Sequence, residues 1–209
     1  MSRGRVSLGS WCDNRLRAAL RVTPRHAAFG ALLILAGCGG SALDTYGLSA
    51  PRDGLAGRSS SRQMAVIEPV ATSPYDSERI VVRTGPEAVA YLKGAQWVDR
   101  LPRLVQTMMI QSFENARLLR SVGRPGERFV ADTSLTSEIR RFEIDVTTNE
   151  AVVELSARVV AEGSGRIVAA RIFTARVPGS AADGKAASAA LDQAFDRVLR
   201  EMVAWSSGR

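Results

Sequence analysis

Residues 128–146 read RFVADTSLTSEIRRFEIDV, and the phase of their apolar side chains decides the fold. Up to Ile139 the set Phe129, Ala131, Thr133, Leu135 and Ile139 holds odd numbers; after Arg140-Arg141, Phe142, Ile144 and Val146 hold even ones. Side chains of a strand alternate between faces with a period of two, so a regular strand cannot change phase. The stretch therefore predicts strand structure on both sides of a bulge or break near Arg140-Arg141. Thr147 to Glu150 reads as a hairpin turn. Ala151 to Ala161 and Arg166 to Val177 read as long strands joined through Glu162-Gly163-Ser164-Gly165, which supplies hairpin chemistry.

Two helices flank these strands. Trp97, Leu101, Leu104, Val105, Met108, Ser112, Ala116 and Leu119 recur at steps of three and four, one apolar stripe over 97–119. Asp99 is placed to cap or to fill the first turn, and Pro102 suits a position whose N–H has no helical partner. Arg117 and Arg120 suit the C-terminal end, with Gly123 and Gly126 stopping the helix. Residues 185–205 form the second, with Ala187, Leu191, Ala194, Val198, Met202 and Trp205 on one face. Upstream, Met64 to Val70 (MAVIEPV), Arg79 to Arg83 and Ala88 to Leu92 read as three short strands, with Lys93-Gly94 turning the chain. The expected class is α+β: a largely antiparallel β-sheet with two amphipathic helices, about 97–119 and 185–205, packed on one face.

The N-terminus obeys a different grammar. An Arg-rich start precedes an apolar run, Ala27 to Ala36, that ends in Leu35-Ala36-Gly37-Cys38. A basic region, a short apolar core and small residues make a secretory signal. An aliphatic residue, two small ones and Cys resemble the bacterial lipoprotein signal, in which the Cys is acylated and becomes the first mature residue. The competing reading is a free thiol ending a membrane anchor, but the run is about half of the roughly 20 residues that a spanning helix needs. Residues 1–37 are then signal peptide, 38–63 the lipidated Cys38 with a Gly/Ser-rich tether, and 64–209 the domain. By the same resemblance, Gly39 favours delivery to the outer membrane. Within the tether, Tyr46-Gly47-Leu48-Ser49-Ala50-Pro51 predicts a short edge strand over 45–49, against a lone aromatic in a disordered linker.

This division changes what the composition means. The chain of 209 residues has 28 basic and 21 acidic side chains, a net charge of +7. Residues 1–37 take Arg3, Arg5, Arg15, Arg17, Arg21 and Arg25 against Asp13, leaving 22 basic and 20 acidic, about +2. Nucleic-acid binding is not supported by such a balance. Cys12 and His26 fall in the same segment, so from Cys38 onward there is no His and no second Cys. Ser-His-Asp and Cys-His catalysis, an internal disulfide and a His or multi-Cys zinc site are thereby excluded, and no metal or cofactor is expected. No Walker-type glycine loop is present either.

In order and spacing, these stretches resemble the ABC-type transport auxiliary lipoproteins, the PqiC-like proteins of Gram-negative bacteria. The resemblance rests on the lipobox and Tyr46-x-Leu48-x-x-Pro51. It continues through Ile67, Pro74-Tyr75 and Ile80 to Arg83, then Tyr91 with Trp97-x-x-x-Leu101-Pro102, Phe142, Phe173 with Val177-Pro178, and the final helix ending in Trp205. Asp76 departs from it, since that family often has Leu after the Tyr. The resemblance implies a non-enzymatic outer-membrane lipoprotein, held on the periplasmic face by its acyl chains. Its partners would be an MCE-domain protein and an ABC permease and ATPase that move lipids or apolar compounds between the two membranes; a homo-oligomer is compatible with it. Two other readings compete. One is a structural lipoprotein assisting outer-membrane assembly. The other is a hydrolase using Glu143 and Asp145, two apart on one strand face, with Arg140, Arg141 and Arg158 as neighbours that favour salt-bridging instead. Trp97 and Trp205 read either as core packing or as the lining of a lipid groove.

Overall fold

The computed structural model describes residues 42–55 and 57–207. The elements are β1 (Asp44–Tyr46), β2 (Gln63–Val66), β3 (Val70–Ala71), β4 (Arg79–Arg83), β5 (Val89–Trp97), α1 (Leu101–Ala116), β6 (Ser121–Gly123), β7 (Thr133–Asp145), β8 (Glu150–Ala161), β9 (Arg166–Pro178) and α2 (Gly184–Ser206). The signal residues fall outside the described residues.

Strand β7 is the axis of the sheet. One of its edges pairs antiparallel with β8, which pairs antiparallel with β9. The other edge takes three short strands in succession, all parallel: β2 at Thr133–Leu135, β3 at Glu138–Ile139 and β4 at Glu143–Asp145. β6 adds parallel to β2; β5 adds antiparallel to β4, and β1 parallel to β5. The class is α+β as expected: the long pairings β7–β8 and β8–β9 are antiparallel, and the short parallel pairings along the other edge of β7 make the sheet mixed. A parallel neighbour needs a crossover instead of a hairpin, and α1 lies on the path between β4 and β7.

The phase change in the long strand is a bulge. Ile139 faces Leu155 and Arg141 faces Glu154, leaving Arg140 as the extra residue. Leu135 and Ile139 enter the core before it, Phe142 and Ile144 after it. Elsewhere the chain departs from its periodicity. The MAVIEPV run is broken into β2 and β3, because Pro69 has no N–H for a ladder. β5 continues to Trp97 rather than turning at Lys93-Gly94. Gly94 takes a positive φ of 72°, and the register against β4 shifts there. The short β6 falls where the helix stop was expected.

The first helix is correspondingly shorter than 97–119. Arg100, with no side-chain cap, precedes Leu101, and Asp99 instead accepts from the Arg100 N–H at 2.8 Å. Pro102 sits in the first turn as its chemistry requires. The helix ends when Arg117 adopts φ 52°, its N–H reaching the Phe113 and Glu114 carbonyls; Arg120, Gly123 and Gly126 lie beyond that end. α2 begins on Asp183, whose carboxylate accepts from the Ala186 N–H at 2.7 Å. Its Gly184 lies so close to β1 and β5 that a Cβ there would come within 2.7 Å of Tyr46 and Ala95. The inward stripes of both helices share one core with Trp97, Phe142 and Phe173. Phe142 joins them by edge-to-face contacts, 5.8 Å to Trp97 and 5.5 Å to Phe195.

Candidate functional site

The face of β7 away from that core carries the only carboxylate pair that the sequence singles out. Because of the Arg140 bulge, Arg141, Glu143 and Asp145 share this face. Glu143 is fully buried, yet every lone-pair direction is engaged. Oε1 accepts from Arg83 Nε and Arg141 Nε, both at 2.7 Å; Oε2 accepts from the Tyr75 hydroxyl at 2.5 Å and Arg83 Nη2 at 3.1 Å. Arg141 Nη2 also donates to Asp145 at 3.0 Å, and Thr147 caps Asp145 through its N–H at 3.1 Å and its hydroxyl at 2.6 Å. Tyr75 comes from the turn before β4 and Arg83 from the end of β4, so the cluster pins the parallel strand and its approach onto β7.

Its electrostatics do not match those of an acid–base pair. Burial alone would raise the Glu143 pKa, but hydrogen bonds from Arg83, Tyr75 and Arg141 outweigh it and hold the carboxyl below its ordinary range. Bonds from Thr147 and Arg141 likewise lower Asp145. Burial, then the Glu143 carboxylate, push the Tyr75 hydroxyl upward. A general acid near neutrality needs one carboxyl raised while its neighbour stays ionised; both move down here. Among the described residues, no group of three or more His, Cys, Asp or Glu side chains is placed to hold a metal ion.

The predicted motif positions divide in two. Trp97 and Leu101 are core, with 1% and 0% exposure, and Pro102 is buried beside them. Trp97 therefore lines no groove. Trp205 is half-buried, edge-on to Phe173 at 5.4 Å. Tyr46 ends β1, so the short edge strand expected over 45–49 is present but lies at Asp44–Tyr46; Leu48 and Pro51 fall beyond it, in a segment that the sequence assigns to the tether. After β1, residues 47–55 and 57–62 belong to a strap docked on both helices. Asp192 of α2 accepts from the Ser49 N–H at 2.7 Å and its hydroxyl at 2.6 Å; Asn115 of α1 donates to the Pro51 carbonyl at 3.0 Å. Arg200 reaches the Asp53 carbonyl, and the Ser60 N–H reaches Leu118 O at 2.7 Å. Leu48, Ala50 and Leu55 pack on the core, and a cleft of about 400 Å³ between strap and α1 is bordered by Leu48, Arg52, Met108 and Gln111. The partners Asp192, Asn115 and Arg200 carried no sequence signal, being polar residues at unremarkable helical positions. Asp76 is exposed and ion-paired to Arg100 at 2.6 Å, so an acid is accommodated where an apolar residue was expected. Among the described residues no helix is long and apolar enough to cross a membrane.

Comparison with known proteins agrees with this architecture. A crystal structure of a Xanthomonas campestris protein superposes with a TM-score of 0.72 at 29% identity, over 80% of this chain and 97% of that one. A hypothetical protein from Chlamydia trachomatis shares the fold at TM-score 0.50 and 11% identity, over 71% and 97% of the two chains. An uncharacterised protein of Bradyrhizobium diazoefficiens is 34% identical over 168 residues, 78% of this chain; the match spans 44% of that relative's length. The model of the ABC-type transport auxiliary lipoprotein component matches residues 46–203, from the strap through both helices. The chain belongs to the family of ABC-type transport auxiliary lipoprotein components.

Proposed function

We propose that this protein is a non-enzymatic lipoprotein, anchored through Cys38 in the outer membrane, on its periplasmic face. There it serves an MCE-type ABC system carrying lipids or apolar compounds between the two membranes. The observation that carries the reading is the extent of the family match, which takes in the strap as well as the sheet and helices. The ion-paired state of Glu143 and Asp145 supports a binding rather than a catalytic role. Leu35-Ala36-Gly37-Cys38 supplies the recognition sequence for lipidation. One acyl chain holds a protein to a membrane only marginally, and two or more make attachment stable.

Two measurements test the reading. Cys38→Ser is expected to leave an uncleaved precursor without lipid label; a normally processed, membrane-retained variant would remove the anchor. Purification of the tagged protein from detergent-solubilised membranes is expected to bring the MCE-domain protein or permease with it, and deletion to weaken the permeability barrier. Absence of both effects would leave outer-membrane assembly as the better reading.

A further inference from the structure

Strand β9 is an edge of the sheet over all its 13 residues, since among the described residues it pairs with β8 alone. Its two halves are guarded unequally. From Phe173 onward the inward side chains are buried, and Arg197 of α2 donates to the Arg176 carbonyl at 3.3 Å. In residues 167–172 no hydrogen bond outside the β8 ladder engages the main chain among the described residues. Both faces of this half are open as well: Ile167 is 57% exposed, Val168 46% and Ile172 50%. Six residues rich in β-branched side chains, without Gly or Pro, on an unpaired edge are an invitation to strand addition that folded proteins ordinarily block.

A second bulge sorts the side chains of this half. Val159 faces Ala169 and Val160 faces Ile167, which leaves Val168 as the extra residue. Arg166 and Arg171 consequently fall on the core-side face, whereas Ile167, Ala170 and Ile172 fall on the outer face. Arg171 stacks over Phe173 at 4.9 Å and pairs with Glu201 at 3.0 Å, both exposed enough to admit a second carboxylate. Arg166 makes no ion pair among the described residues. The edge is thus basic on one side and apolar on the other.

We propose that residues 167–172 are a docking edge for an extended strand of a partner protein in which acidic and apolar residues alternate. The partner strand would pair its main chain with β9, set its apolar side chains beside Ile167 and Ile172, and set its carboxylates beside Arg166 and Arg171. Charge selects this occupant. A second copy of β9 brings Arg166, Arg171 and Arg176 and no acid, so self-pairing adds repulsion. A lipid surface takes basic and apolar groups on one side, and here they lie on opposite faces. The inference rests on the accessory-protein reading for its biological sense, since it names the segment chemistry that a transport partner would present. Its test uses a synthetic strand, so its failure leaves the anchor and permeability assays untouched.

The probe is a synthetic peptide of about nine residues alternating Asp and Val, added to the full chain purified in detergent. Amide hydrogen exchange should slow in 167–172 and stay unchanged in β8. A peptide N-methylated on alternate residues, which cannot complete the ladder, should give no protection, and a Lys/Val peptide should give none. Arg166→Glu with Arg171→Glu should weaken the Asp/Val peptide roughly tenfold; because the native protein with the methylated peptide is an independent control, misfolding of that variant does not mask the result. No protection of 167–172, equal binding of the methylated or Lys/Val peptide, concentration-dependent protection without peptide (a second copy), or protection by phosphatidylglycerol vesicles alone (a lipid surface) would each overturn the proposal.

Discussion

At the scale of single residues, Glu143 is the most consequential side chain outside the core. Two guanidinium groups and a phenol surround a carboxylate that has lost all contact with water. A buried pair of this kind adds little over an apolar replacement, but removing one partner strands the others. Glu143→Gln should destabilise the fold by about 3–5 kcal/mol at neutral pH, read from urea unfolding. The pH dependence follows from the direction of the shift. The folded-state pKa lies below the unfolded value, so the stabilisation is complete above the ordinary Glu range and is lost as pH falls through the folded value. The native protein and Glu143→Gln should therefore converge in acid; a gap that persists undiminished below pH 3 would mean that shape rather than charge holds the cluster. Asp192 is a milder case. It accepts two hydrogen bonds from Ser49 at the surface, and Asp192→Ala should cost about 1 kcal/mol while exposing residues 47–62 to limited proteolysis. Unchanged cleavage of that segment would show that its apolar contacts suffice.

At the scale of elements, the bulge at Arg140 organises both faces of β7. Deleting Arg140, the extra residue, would leave Ile139, Arg141 and Phe142 in regular alternation, with Phe142 and Ile144 still inward and Glu143 and Asp145 still outward, and would remove only the local bend and twist of the bulge. The deletion variant should therefore remain a soluble protein that melts cooperatively; loss of the sharp thermal transition by circular dichroism would show that the bend of the bulge, and not only the alternation of faces, is required. This bulge was legible because a period-two pattern changed phase within two residues. The hairpins around Asn149 and Gly165 were legible from their turn residues, both with positive φ in the structure. Parallel pairing of β2, β3 and β4 was not, because a short apolar run records burial and not the direction of its neighbour. The helix start was misplaced for a related reason: Trp97 is buried from the end of a strand, yet falls at a spacing that continues the stripe of α1. Arg117 ended that helix in a left-handed conformation that no sequence rule favours for arginine. The ion-paired cluster was half visible. Glu143 and Arg141 stood near each other in sequence, but Tyr75 and Arg83 reach them only through the β4–β7 pairing, which is a tertiary fact.

At the scale of the whole molecule, the docked strap bears on where the domain can sit. A Gly- and Ser-rich stretch from 39 to 63 would let a domain wander far from its anchor, but β1 begins at Asp44 and the strap that follows is bonded to both helices. Five residues, 39–43, lie in sequence between Cys38 and β1, and five residues reach at most about 18 Å at up to 3.6 Å per residue. If lipid is attached at Cys38, the domain is held against the membrane surface, and its position becomes a property that can be altered without touching the fold. Inserting about 20 Gly/Ser residues after Gly40 would add roughly 25 Å of root-mean-square reach, leaving the strap, the ion-paired cluster and the β9 edge intact. The inserted variant should be lipidated and as stable as the native protein, but should restore the permeability barrier of a deletion strain only partly, because a partner arriving at a fixed height would find the docking surface displaced. Full restoration would show that attachment alone matters and that the short spacer has no positional role.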